Sequence, residues 1–238
     1  MRLVCLPHAG GASAAFRPWK AALAGVATVD SPELPGRGAR FGAPFAASLS
    51  TLAEDLAAPL GQRVGPLVLY GHSMGALLAF EVARALARQG VAVAGLVVSG
   101  RAAPQLAPPP MARHLLPDAE LAAELERMGG TAAGVLAQPE LRAVALQLVR
   151  ADFRLVETYV YAPGPPLPVP AVILGGAQDP ATSPQSLAAW AEVISGPVAV
   201  ESWPGGHFFV RLHERRLLDL LRRTLPAWQA GPTIVPGG

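Results

Sequence analysis

Apolar residues along this chain follow two rhythms. Short runs rich in Val, Leu and Ile at Arg2–Leu6, Val26–Ser31, Leu67–Tyr70, Ala94–Ser99, Ala171–Leu174 and Val198–Ser202 read as buried strands. Between many of them apolar positions recur at helical spacing, over Thr51–Leu60, Ala76–Gln89, Gln185–Val193 and His213–Trp228. Strands that are apolar on both sides and alternate with helices predict an α/β architecture. Its mostly parallel central sheet would be covered by helices on both faces.

The rhythm breaks between Arg101 and Pro168. That segment offers proline-rich stretches, PQLAPPP and YAPGPPLPVP, around two helical patterns, LPDAELAAELERMGG and PELRAVALQLVRADFRLVETYVY. It is too long for a plain connection, so the expectation is a single domain over residues 1–228 with a helical lid inserted at about 101–168. The closing residues 229–238 read as a flexible tail.

One junction between the rhythms carries chemistry. In LVLYGHSMGALLAFEVARAL, Leu67–Leu86, a strand run gives way to a helix across Gly71-His72-Ser73-Met74-Gly75, a G-x-S-x-G match in the strand–turn–helix context such a motif requires. A serine hydroxyl needs a base within hydrogen-bonding reach to act as a nucleophile. A sharp strand-to-helix turn lifts the hydroxyl out of the sheet to where base and substrate can both approach. Glycines two positions to either side remove the side chains that would clash, and the helix that follows aims its free N–H groups at developing negative charge.

Elbows of this kind find their partners in the chain order serine, acid, histidine. Of the five histidines, His8 precedes the serine, His72 lies inside the elbow and should point away from the hydroxyl, His114 lies in the inserted segment and His213 begins the last helix. His207, in the glycine-rich loop WPGGHFFV after the last strand, remains as the base. Asp179 in AVILGGAQDP follows a buried strand directly and suits the acid that orients the imidazole. Asp118, Asp152 and Asp219 fall within helical patterns, where solvated or capping roles are expected, and Glu157 falls in the insertion. The candidate oxyanion donors are the backbone N–H of Met74, just after the serine, and that of Ala9, in the loop LPHAGGASAAF after the first strand.

Composition narrows the field. The 238 residues are half hydrophobic and carry a net charge of +2, nearly all of the positive charge on arginine, with Lys20 the only lysine. No basic cluster alternates with aromatics and no nucleotide-binding glycine pattern occurs, which argues against nucleic acid or nucleotide partners. Cys5 is the only cysteine, which excludes an intrachain disulfide and a cysteine-based zinc site. No signal-like segment and no apolar stretch of about 18 residues is present, so a cytoplasmic protein without a membrane partner is expected. The expected chemistry needs no metal and no organic cofactor, and no heptad pattern calls for assembly, so a monomer is expected.

In order along nearly the whole chain, CLPHAGG (5–11), LPGRGAR (34–40), GHSMGALLAFEVAR (71–84), SGRAAP (99–104), RADFRLVETYVY (150–161), GGAQDP (175–180) and GGHFFV (205–210) resemble the type II thioesterases that accompany polyketide synthases and nonribosomal peptide synthetases. The resemblance implies an α/β-hydrolase fold with a helical lid and a Ser73–Asp179–His207 triad. It implies hydrolysis of acyl thioesters from the phosphopantetheine arm of acyl or peptidyl carrier proteins, clearing stalled or wrongly primed synthases. Relatives often carry a further edge strand ahead of the first landmark, whereas this chain starts almost on it. Surface arginines could meet an acidic carrier domain, and Arg37 and Arg40 suit either that role or the support of a turn. The residues alone leave open a carboxylester hydrolase with the same catalytic groups, an acyltransferase, and a non-catalytic binding protein of the same fold.

Overall fold

The computed structural model describes residues 1–106, 112–130 and 133–229. Six strands form one sheet: β1 (Arg2–Leu6), β2 (Thr28–Asp30), β3 (Leu67–His72), β4 (Gly95–Ser99), β5 (Ala171–Gly176) and β6 (Val198–Trp203). Their order across the sheet is β2-β1-β3-β4-β5-β6, and every pairing is parallel. Parallel strands need covered faces, and the burial follows. β3, β4 and β5 are buried throughout and β1 is buried beyond Arg2, while the edge strand β6 is only partly so.

Helices α1 (Arg17–Ala22) and α9 (Glu214–Gln229) cover one face, with Leu3, Tyr70, Val97, Leu221 and Trp228 in a shared apolar layer. The other face is covered by α2 (Leu49–Gly61), α3 (Met74–Arg88) and α7 (Pro184–Ala188), around Leu69, Leu77, Phe80, Val98 and Ile173. Local signals set several helix ends. The Ser48 hydroxyl accepts from the Thr51 N–H at the start of α2, and Ser183 and Ser186 form a reciprocal capping box at α7.

Strand order turns back between β1 and β3, since the chain goes first to one side (β2) and then works outward on the other. The carboxyl ends flanking such a reversal open a crevice where α/β proteins bind ligands. The loops after β1 and β3 therefore meet there. A Cβ on Gly75 would stand 2.1 Å from the Leu6 carbonyl oxygen and 2.7 Å from that of Pro7, so the first turn of α3 lies directly against the exit of β1.

Between β4 and β5 the chain forms a helical insertion: α4 (Asp118–Met128), α5 (Ala133–Ala137) and α6 (Pro139–Glu157). It has its own small apolar cluster of Leu121, Leu125, Leu136, Leu146, Val149 and Phe153. α4 carries Asp118 and Glu120 in its first turn and stops at Gly129 in the left-handed region (φ 71°). Ties to the body run through Tyr159, whose hydroxyl donates to Glu81 (2.7 Å), and Arg84, which donates to the Ala162 carbonyl (2.7 Å).

Differences from the sequence expectation are mostly at boundaries. β2 is shorter, since only Thr28–Asp30 pairs with β1, and the stretch expected as one helix over Gln185–Val193 is α7 followed by a separate tight turn. The short helices α1, α5 and α8 (Phe209–Leu212) have too few residues to show a period. The expected tail falls almost wholly outside the described residues.

Candidate active site

β3 runs straight into α3 with a single residue between them. That residue is Ser73, at φ 56° and ψ −113°, the one non-glycine residue with positive φ among the described residues. Such a backbone is costly and persists only where its surroundings enforce it. The glycines supply the room. A Cβ on Gly71 would stand 1.9 Å from the Gly75 carbonyl oxygen, so β3 and α3 can cross this closely only if position 71 has no side chain.

Ser73 Oγ lies 2.9 Å from His207 Nε2, and His207 Nδ1 lies 2.8 Å from Asp179 Oδ2. An ionised carboxylate can only accept, so Nδ1 carries the proton and Nε2 is left to accept from the serine hydroxyl. The Asp179 carboxylate is held by the Ala181 N–H (2.9 Å) in a tight turn after β5, and its side chain is fully buried. The loop bearing His207 is fixed in turn, since Gly205 C=O accepts from the Gln178 N–H (3.0 Å). The three side chains singled out from the sequence thus come together from the ends of β3, β5 and β6.

The N–H groups of Met74 and Ala9 donate to no acceptor among the described residues. For Met74 this follows from its place at the first position of α3, where no intrahelical carbonyl is available. Ala9 is half-buried and packs against both the main core and the insertion's cluster.

The other histidines have separate duties. His72 points away from the serine and its Nδ1 lies 2.9 Å from Ser99 Oγ, with its ring 5.1 Å from that of His207. Burial, and then the nearby His207, His8 and Arg211, push its pKa well below the ordinary 6.5, so it stays neutral beside the catalytic candidate. His8 is held between the Ala9 carbonyl (2.8 Å from Nδ1) and Arg211 (2.9 Å from Nε2), and burial lowers its pKa to about 4. His114 pairs with Glu157 at 2.6 Å within the insertion, and His213 donates to the Pro204 carbonyl. Asp118 and Asp219 form exposed pairs with Arg150 and Arg222, as solvated groups would.

Asp152 overturns its expected solvated or capping role. Its side chain is 2 % exposed and takes a two-pronged ion pair from Arg37, Nη2 to Oδ1 at 2.7 Å and Nη1 to Oδ2 at 2.8 Å. Arg37 is itself buried, so no partner protein can reach it, whereas Arg40 stays exposed. Both Arg37 and Asp152 lie in landmark stretches, but nothing in either stretch shows that they pair with each other. Phe208 is a second addition. Its ring packs on His8, His72 and His207, and Arg211 lies 4.6 Å above it. Gly130 of the insertion lies so close to Phe208 that an added Cβ would stand 2.5 Å from its ring.

Among the described residues no group of three His, Cys, Asp or Glu side chains is placed to hold a metal ion. Cys5 is buried and unpaired, and no helix there is long and apolar enough to cross a membrane.

Comparison with known proteins places the chain in a family. The family model described as a thioesterase domain matches residues 1–225. Thioesterase PikA5 of Streptomyces venezuelae is 40% identical over 214 residues, covering 88% of this chain and 75% of that protein. A probable cadicidin biosynthesis thioesterase of Streptomyces griseus is 38% identical over 90% of this chain, which spans only 59% of that relative's length. Among solved structures, the type II thioesterase BorB from the borrelidin biosynthetic cluster superposes with a TM-score of 0.86 at 40% identity, covering 94% of this chain and 92% of BorB.

Proposed function

The chain belongs to the thioesterase family and to its type II branch, which makes it a hydrolase of acyl thioesters, and from that premise we propose that Ser73 is its nucleophile, His207 its general base and acid, and Asp179 the carboxylate that orients the imidazole. The observation that carries this reading is the unbroken relay from Ser73 Oγ through His207 to Asp179, at 2.9 and 2.8 Å, built on the strained backbone of the elbow.

The chemistry follows from the relay. His207 Nε2 takes the hydroxyl proton as Ser73 Oγ adds to the thioester carbonyl, and Asp179 stabilises the imidazolium without taking the proton itself. The oxyanion is received by the N–H groups of Met74 and Ala9, assisted by the positive end of the α3 dipole. Collapse of the tetrahedral species breaks the carbon–sulfur bond. A thiol with a pKa of about 8.5 needs less protonation than an alkoxide or amine would, so proton transfer from His207 makes a smaller demand. Water, deprotonated by His207, then adds to the acyl-serine, and the acid leaves as Ser73 regains its proton. His72, kept neutral by burial, places no second positive charge beside the imidazolium.

The substrate we infer is an acyl group on the phosphopantetheine arm of an acyl or peptidyl carrier protein in polyketide or nonribosomal peptide assembly. The role is removal of aberrant or stalled groups. A probable cadicidin biosynthesis thioesterase and the type II thioesterase of the borrelidin biosynthetic cluster among the similar proteins support a biosynthetic setting. The helical insertion between β4 and β5 acts as the lid, since Ala9 and Phe208 both lie against it. The test is release of free acid from an acyl-carrier protein with the matching simple ester alongside. Rapid thioester turnover that vanishes in Ser73→Ala, with slow ester turnover, supports the reading. Fast ester cleavage with the acyl-carrier untouched makes this a general esterase.

A further inference from the structure

The loop after β1 offers two adjacent N–H groups, those of Ala9 and Gly10, that could face an oxyanion. The Gly10 N–H is already occupied: it donates to Asp152 Oδ2 at 2.8 Å, across 142 residues of chain. The next carbonyl, that of Gly11, accepts from Arg37 Nη1, also at 2.8 Å. The same nitrogen of Arg37 reaches Asp152 Oδ2, so Gly10, Asp152, Arg37 and Gly11 close a ring of hydrogen bonds around one turn of backbone. Gly10 holds φ 76°, and a Cβ there would stand 2.6 Å from Val149 Cγ2, one helical turn before Asp152 on α6. The turn is thus gripped at its N–H, at its next C=O and from above by the insertion.

We propose that Arg37 and Asp152 are positioning residues for the oxyanion hole, selecting the Ala9 N–H as its donor by engaging Gly10 and fixing the peptide plane between them. Neither side chain touches the reacting atoms. The inference rests on the reading of Ser73 as nucleophile and of Ala9 as a donor. Two features of the pair fit a positioning role better than a merely cohesive one. Both ends of the arginine fork are used on the carboxylate while one also holds a backbone carbonyl, a geometry that lysine cannot reproduce. The carboxylate also holds the N–H one residue along from the proposed donor. Neutralised by Arg37 it can hold the loop there without opposing the charge of the oxyanion. Because α6 supplies both Asp152 and Val149, the insertion and the hole are joined through buried contacts, so a shift of α6 moves the donor.

The test separates positioning from general damage. Replacing both partners with apolar residues of similar size, Arg37→Met with Asp152→Leu, removes the grip without stranding a buried charge. Thioester kcat should fall about 10- to 100-fold with KM changed by less than about threefold, as expected when a donor is misplaced rather than substrate binding lost. The same pair is placed in a Ser73→Cys background and alkylated with iodoacetamide, a displacement that uses His207 but develops no oxyanion. That rate should stay within about twofold of the Ser73→Cys parent. Cys5 is buried and its thiol is pushed up by burial, so the label reports position 73. Unchanged kcat overturns the proposal, and so does a parallel fall in turnover and alkylation. Should the double variant not fold, Arg37→Lys decides by itself: lower kcat with alkylation intact supports the proposal, and wild-type kcat overturns it. Ser73→Ala is run alongside, because turnover surviving in that variant would defeat the reading of the site itself, independently of the pair.

Discussion

The two sides of the candidate active site are held in place by opposite means. The elbow is a local device: Gly71, Ser73 and Gly75 fall within five residues, and the close crossing of β3 and α3 forces the serine's strained backbone. The loop after β1 has a local turn, closed by the Gly11 N–H on the His8 carbonyl (2.9 Å), but it is also held from a distance. Arg37, in another loop, and Asp152, far along the chain on α6, grip its Gly10 N–H and Gly11 carbonyl. Nucleophile geometry is therefore built into the sheet, whereas the loop opposite depends on how the insertion docks.

The comparison is broken most severely at the elbow. Gly75→Ala sets a Cβ 2.1 Å from a backbone oxygen that cannot yield without moving β1, so the expected outcome is loss of folded soluble protein, read by expression and circular dichroism. Well-folded, active Gly75→Ala would show that the elbow tolerates separation of helix and strand. Asp179→Asn keeps the fold but allows the wrong imidazole tautomer. It should lower kcat by roughly 10³- to 10⁴-fold with little change in KM.

Two arginine–aspartate pairs sharpen the contrast, because both close at 2.7 Å. Arg37–Asp152 is buried, whereas in Arg63–Asp30 the arginine is exposed and the aspartate half-buried. Arg37→Ala leaves a buried carboxylate without its partner and should destabilise by about 3–5 kcal/mol. Arg63→Ala should change stability by less than about 1 kcal/mol. Denaturant unfolding of both variants checks this, and equal effects would refute the role given to burial.

The same contrast explains what the sequence makes legible. The elbow, the alternating strands and the glycine-rich loop bearing His207 are written in neighbouring residues, and of the three side chains chosen on that basis His207 lies within hydrogen-bonding distance of both Ser73 and Asp179. Asp152 is different. In sequence it is one more acid in an amphipathic helix, and only the docking of α6 against the β1 loop turns it inward. Phe208 likewise reads as an apolar residue of the last loop. Its position among three imidazoles depends on β3 and the β1 loop converging.

Acid should affect the β1 side through stability. His8 is held at about 4 and His72 well below its ordinary value, chiefly by burial, so the unfolded chain binds protons at these positions that the folded one does not. Stability is therefore complete above about pH 6.5 and falls as the pH drops below it, through the pH 4–6.5 window for His8. Replacing His8 with Gln should flatten part of that slope in thermal melts across pH 4–7, the smallest of these effects. An unchanged slope would remove His8 from the account.

The central claim, that Ser73 carries the acyl group, is tested most directly by rapid quenching of the enzyme with an acyl-pantetheine thioester, followed by intact-mass and peptide analysis. An added mass equal to the acyl group is expected on the peptide containing Ser73, forming before free acid accumulates and absent in Ser73→Ala. Free acid released at full rate with no adduct, and equally by Ser73→Ala, would contradict it.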